Sequence, residues 1–193
     1  MTYSPLGYAN MGEASSLELK CRQMQTLAQK KKQFDRLCAS ANDFRQANFC
    51  ARYLLKKGWH SHPWERRGTI YAQQTAFVTN LIIAYARPFV LSKGWPAFPF
   101  KLTNFTVKQR EMHERLVQMR HEIFAHSDSL HFNFWPLDMG NYRTIMEETP
   151  FAVLSAAETA LIKVMTDNLI EFTSNKLNEV YKELTGRPYD GDD

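Results

Sequence analysis

From Ser15 to Lys57 the chain contains neither proline nor glycine. Within that stretch Leu27, Phe34 and Ala41 recur every seven residues, with Met24 and Cys38 close to the same side. A run without helix breakers and with this period predicts one long amphipathic helix over about 16–57. Ser15 followed three residues later by Glu18 has the spacing of a capping box. Lys56 and Lys57 sit in the last turn, and Gly58 supplies the stop. Residues 1–14 mix Tyr, Pro, Gly and Asn without period and read as an N-terminal arm. A 193-residue chain opening on so long a helix has room for one helical domain, 1–193, rather than two.

The remaining punctuation divides the chain into further helices. A second runs over about 65–87 and is halted by Pro88. Its second half (Ala76, Phe77, Val78, Leu81, Ile82, Ile83, Ala84) is apolar nearly all round, which predicts the most buried helix of the fold. Phe89 to Leu102 carries Gly94, Pro96 and Pro99 among aromatics and reads as a packed connector. Thr103 or Thr106 caps a third helix over about 104–126. The runs His131–Trp135 and Tyr142–Met146, joined by Asp138-Met139-Gly140-Asn141, predict a small peripheral hairpin. Ser155 and Glu158 repeat the capping-box spacing ahead of a fourth helix over about 152–184, stopped by Gly186 and Pro188. Residues 185–193 form an acidic tail. The expected fold is mainly α: a four-to-five-helix antiparallel bundle with a small β-hairpin insertion.

Composition narrows the class. Apolar residues make up 44% and aromatics 13%, too many for intrinsic disorder. The most apolar run, Ala76 to Ala86, is interrupted by Thr79 and Asn80 and is too short for a membrane span, which needs about 20 residues. No signal-peptide pattern opens the chain. Three widely spaced cysteines (Cys21, Cys38, Cys50) fit a reducing, cytoplasmic setting. Residues 17–67 hold 12 Lys/Arg against 4 Asp/Glu, and residues 138–193 hold 5 against 11. That asymmetry reads as solvated helix faces, as intrachain pairing, or as a surface for a polyanion.

Phosphate-loop, dinucleotide, zinc-protease and nucleophile-elbow motifs are absent. His60 and His62 lack the ligand spacing of a metal centre, so neither metal nor cofactor is expected. His113 and His131 read as surface or packing residues. The informative segment is Arg120-His121-Glu122-Ile123-Phe124-Ala125-His126-Ser127-Asp128. On a helical wheel with Leu116 at zero, Met112, Met119, Ile123, Phe124 and Val117 define a buried face. Arg120 falls inside it at about +40°, and His126 at its edge at about −80°. A guanidinium in an apolar stripe needs a buried carboxylate, a second subunit, or a pocket that admits an anion. On the second helix Gln73, Asn80 and Arg87, seven apart, form a polar stripe that would line the same cavity. The plain alternative is a satisfied buried network in which Glu122 or Asp128 pairs an arginine and His126 caps a helix end.

Arg120, then five residues, then His126, with polar His121 directly after the arginine, resembles the signature of the HEPN superfamily (higher eukaryotes and prokaryotes nucleotide-binding). Ala125 to Asp128 and Tyr85-Ala86-Arg87-Pro88-Phe89 look most like its abortive-infection U-type branch. His121 stands where that family most often has Asn. The resemblance covers roughly residues 64–185. It implies a metal-independent endoribonuclease, a toxin or antiphage effector, acting as a homodimer on RNA and in some systems held by a nucleotidyltransferase antitoxin. It casts His126 as general base and acid, Arg120 as phosphate clamp and His121 as auxiliary, with Arg87, Asn80, Ser127 and Asp128 as substrate contacts. Many members bind RNA or nucleotides without cutting, so a non-catalytic binding or regulatory module stays open. So does an unrelated helical interaction protein.

Overall fold

The computed structural model describes residues 11–62, 65, 68–124, 133–138, 140–141, 143–148 and 153–187. Its first helix, α1, runs from Met11 to Lys57, about 70 Å at 1.5 Å per residue. It begins earlier than the capping-box spacing predicts, so Ser15 and Glu18 lie within the helix and the arm is shortened. Glu13 and Ala14 are compatible with helix, and no proline holds the backbone out of it. Leu37, Ala41, Phe44, Ala47, Ala51 and Leu54 form its buried stripe, at the three- and four-residue spacing of one helix face.

The last helix, α4 (Ala156–Thr185), lies antiparallel on that stripe. The register is fixed by Asn48 donating to Thr166 at 2.9 Å, by the Phe34 and Tyr181 rings at 6.0 Å, and by Lys30 paired with Glu183 at 2.9 Å. Ser155 caps α4 in a complete capping box with Glu158, and Gly186 closes it at φ +71°. A left-handed residue is needed there and glycine takes it without a Cβ clash.

The second helix, α2 (Gly68–Ala86), packs on another side of α1. Leu81, Ile82, Ala84, Tyr85 and Ala86 are buried, in line with the apolar run in the sequence. The helix at the centre of the fold is nevertheless α1, which touches both α2 and α4. Pro88 ends α2 by diverting Arg87–Phe89 into a 3-10 turn. The guanidinium of Arg36 in α1 donates to the Pro88 carbonyl at 2.5 Å and lies near those of Val90 and Arg87 at 3.3 and 3.4 Å.

The connector after this turn is packed, as its aromatics predict. Phe98 sits against Phe44, Phe89 and Phe172, and Phe105 is buried beside Phe100. Thr106, not Thr103, caps the third helix, α3 (Val107–Met119), in a reciprocal box with Gln109. The chain then widens into a π-helical turn, Arg120–Phe124. Two strands, β1 (Asn133–Asp138) and β2 (Arg143–Glu148), pair antiparallel with Trp135 opposite Met146. They sit about two residues later than the β-like runs in the sequence. The fold is mainly α. Among the described residues, no helix is long and apolar enough to cross a membrane.

Candidate functional site

Two contacts set the direction of α2 against α3. The Tyr85 hydroxyl meets His113 Nδ1 at 3.1 Å, and the turn Arg120–Phe124 packs against α2. Both hold only if the helices run antiparallel, because α2 ends one residue beyond Tyr85. Arg120 therefore stands beside the middle of α2, at the head of the π-helical turn.

Arg120 is half-buried, and its Nη1 lies 3.4 Å from Nδ1 of exposed His121. Glu122 accepts from Gln118 at 2.9 Å, so the nearest carboxylate in sequence is engaged by a neutral amide. Among the described residues no carboxylate lies within ion-pair distance of Arg120. The π turn is a positional device. Its i→i+5 bonding inserts an extra residue per turn, and such turns recur at functional sites because they redirect side chains. The regular wheel cannot be carried past Met119. His126, Ser127 and Asp128, the other expected site residues of this segment, lie outside the described residues.

The polar stripe of α2 does not join Arg120. Gln73 is exposed, and the buried amide is its neighbour Gln74. Gln74 Nε2 donates to the Ser61 carbonyl at 2.8 Å while its Oε1 accepts from the Ser61 amide at 3.1 Å. Asn80 faces α1, accepting from Gln46 at 3.1 Å and donating to Cys50 Sγ at 3.3 Å. Arg87 pairs with Asp43 at 2.6 Å. Burial pushes the Asp43 carboxyl upward against the opposing pull of Arg87 and Arg36. With α2 and α3 antiparallel, Arg87 and Arg120 are about nine residues apart along the axis, roughly 13 Å. The expected grouping of Asn80 and Arg87 with Arg120 is thus replaced by contacts to α1. Both side chains are engaged by α1.

No protein-family model matches the chain, and neither curated proteins nor solved structures give a match.

Two groups are prominent in the fold: His113, read from the sequence as a surface or packing residue and found in packing, and Arg36, which the sequence did not single out. His113 is buried, with Phe89 edge-on at 4.5 Å and Tyr85 and Phe105 beyond. Burial pulls its imidazole down to about 4 and pushes the Tyr85 phenol well above its ordinary range. A neutral imidazole accepting from the Tyr85 hydroxyl is the arrangement these shifts favour. The wheel already held the signal, since His113 falls at about +60°, inside the buried face. Arg36 is the second, a buried cation on carbonyl oxygens, lowered by burial against the pull of Asp43.

His60 takes a structural role. His60 Nδ1 bonds the Leu154 carbonyl at 3.0 Å, tying the end of α1 to the start of α4. The His62 amide donates to Glu65 at 2.8 Å. Among the described residues no three of His, Cys, Asp or Glu gather as a metal centre.

Proposed function

We propose that this chain is a HEPN-type endoribonuclease that cleaves RNA without a metal ion. The observation that carries this reading is Arg120, a half-buried guanidinium on a π-helical turn with no carboxylate partner among the described residues. A cation so placed is suited to an anion supplied from outside the fold. In the mechanism, Arg120 holds the scissile phosphate through two parallel N–H donors and offsets charge as the pentacoordinate phosphorus forms. His126 takes the ribose 2′-OH proton, the 2′-oxygen attacks phosphorus, and the 5′-oxygen leaves with a proton returned by a protonated histidine. The products are a 2′,3′-cyclic phosphate and a 5′-hydroxyl. His121, 3.4 Å from Arg120, orients the guanidinium. Ser127 and Asp128 are the remaining substrate contacts of the segment.

A homodimer belongs to the same proposal, with two Arg120 turns sharing one cleft. Asn80 and Arg87 are satisfied within one chain, so the partner is called for by Arg120. A nucleotidyltransferase antitoxin is the regulatory partner such a toxin would take. The second reading, an RNA-binding module that does not cut, draws on the open cationic face of α1.

The test is cleavage of a defined single-stranded RNA in EDTA. The expected products carry 2′,3′-cyclic ends, and a substrate lacking the 2′-OH at the cleavage site stays intact. His126→Ala should abolish turnover. Arg120→Lys should rescue poorly, because an ammonium cannot make the planar two-pronged contact. Cleavage that requires Mg²⁺, or that survives His126→Ala, removes the mechanism and leaves the binding module.

A further inference from the structure

The outer face of α1 carries a second arrangement that the Arg120 turn does not use. Arg45, Phe49, Arg52 and Lys56 recur at intervals of four, three and four residues, which places them along one side of the helix. Together with Asn48, Tyr53 and Ile170 of α4 they line an open groove of about 670 Å³. That size lies within the range of ligand-binding clefts.

The charge in this groove is uncompensated. Among the described residues none of Arg45, Arg52 and Lys56 makes an ion pair. Asp167, bonded to Asn48 of the groove at 2.8 Å, is also engaged by Lys163 at 2.8 Å. Arg52 and Lys56 are also like charges four apart, a pair that costs an isolated helix a few tenths of a kcal/mol. A merely solvated face would relieve that repulsion with an interleaved carboxylate. In this stripe Phe49, not a carboxylate, stands between Arg45 and Arg52.

Phe49 is 60% exposed, among the most open large apolar side chains of the described residues. Its ring lies beside a supported stack: Tyr53 is 6.1 Å away at 27°, and Tyr53 in turn lies on Phe77 at 4.4 Å and 10°. Trp59 closes edge-on against Tyr53 and Phe77. The platform is therefore anchored to α2 from behind, while Phe49 stands open between two arginines of the same stripe.

We propose that this groove binds single-stranded RNA, with Arg45, Arg52 and Lys56 tracking the phosphates and Phe49 stacking an unpaired base. Alternating cations and an open ring are the two elements of non-specific single-strand recognition. A duplex keeps its bases stacked internally and leaves Phe49 unused. An acidic peptide satisfies the cations but gives the ring no partner. Only the choice of RNA over DNA rests on the cleavage reading above.

The test is fluorescence anisotropy on a labelled 12-nucleotide oligouridylate, using the full chain carrying His126→Ala so that the probe is not consumed. Phe49→Leu, which keeps an apolar side chain and removes the ring, should weaken binding about 10-fold. Arg52→Gln should lower the slope of log affinity against log salt by about 0.7. An RNA duplex should bind at least about 10-fold more weakly than the single strand, and poly-glutamate should not compete. Unchanged affinity in both variants, an equal affinity for duplex, or displacement by poly-glutamate overturns the proposal. Should either variant lose its thermal transition, Phe49→Trp decides: binding at least as tight as the parent supports the groove, and weaker binding overturns it. Groove-dependent binding without any cleavage by the parent chain leaves this proposal standing and removes the nuclease. Cleavage with parental RNA affinity and salt slope in both groove variants does the reverse.

Discussion

Single residues in this fold are governed by what burial does to charge. His113 is held neutral inside an aromatic cage with its imidazole lowered to about 4 from an ordinary 6.5. Between those values the unfolded chain binds a proton that the folded chain refuses, so stability must rise with pH across the window and fall as acid is added. The full effect is bounded by about 3 kcal/mol, reached only near pH 4. Glu158, lowered below its ordinary 4.5 by Ser155 and Arg115 against a desolvation cost, loses its contribution only at more acidic pH. Urea midpoints measured from pH 7 down to 5 should therefore decline in the parent and stay flat in His113→Leu. An identical decline in both would place the titrating group elsewhere. His113 was readable from the wheel that singled out Arg120, since both fall within the same arc. What no wheel carries is the partner: the Tyr85 hydroxyl comes from another helix, 28 residues away.

Elements were legible to the extent that their determinants are local. Ser155 with Glu158, and Thr106 with Gln109, make the reciprocal bonds their spacing implies. Ser155→Ala should cost about 1 kcal/mol, seen as a lower urea midpoint with an unchanged m-value. Glu158 also pairs with Arg115 of α3, so a larger loss would mean the cap holds that interhelical contact in place. Ser15 with Glu18 has the same spacing, yet α1 continues through it from Met11. A capping signal marks where a helix is allowed to begin and does not prevent an earlier start. The stripe Gln73, Asn80, Arg87 failed for two physical reasons. Seven residues drift by about 20° on a straight helix, and Arg87 lies past the end of α2 in the 3-10 turn that Pro88 imposes. The π-helical turn at Arg120, which packs against α2, is likewise absent from any local pattern. The candidate site was thus visible as residue types, and its geometry was not.

At the scale of the whole molecule, the principal interface joins the first helix to the last. Asn48 of α1 reaches Thr166 of α4 across 118 residues of sequence, and Leu37, Phe44, Ala51 and Leu54 find their cover in Ile162, Met165, Leu169 and Leu177 together with α2. A chain ended before Ser155 keeps α1, α2 and α3 but strips α4 from the core. It should give no cooperative urea transition, and a sharp transition in that truncated chain would contradict the central position assigned to α1. The same closure has a temporal side. Long-range contacts must wait for the segment between them, and at a synthesis rate of about 5–20 residues per second α4 is complete roughly 7–26 s after the buried stripe of α1 has been made. Throughout that interval the nascent chain offers the α4-facing side of α1 as an uncovered helical face, the kind of surface on which holdase chaperones act.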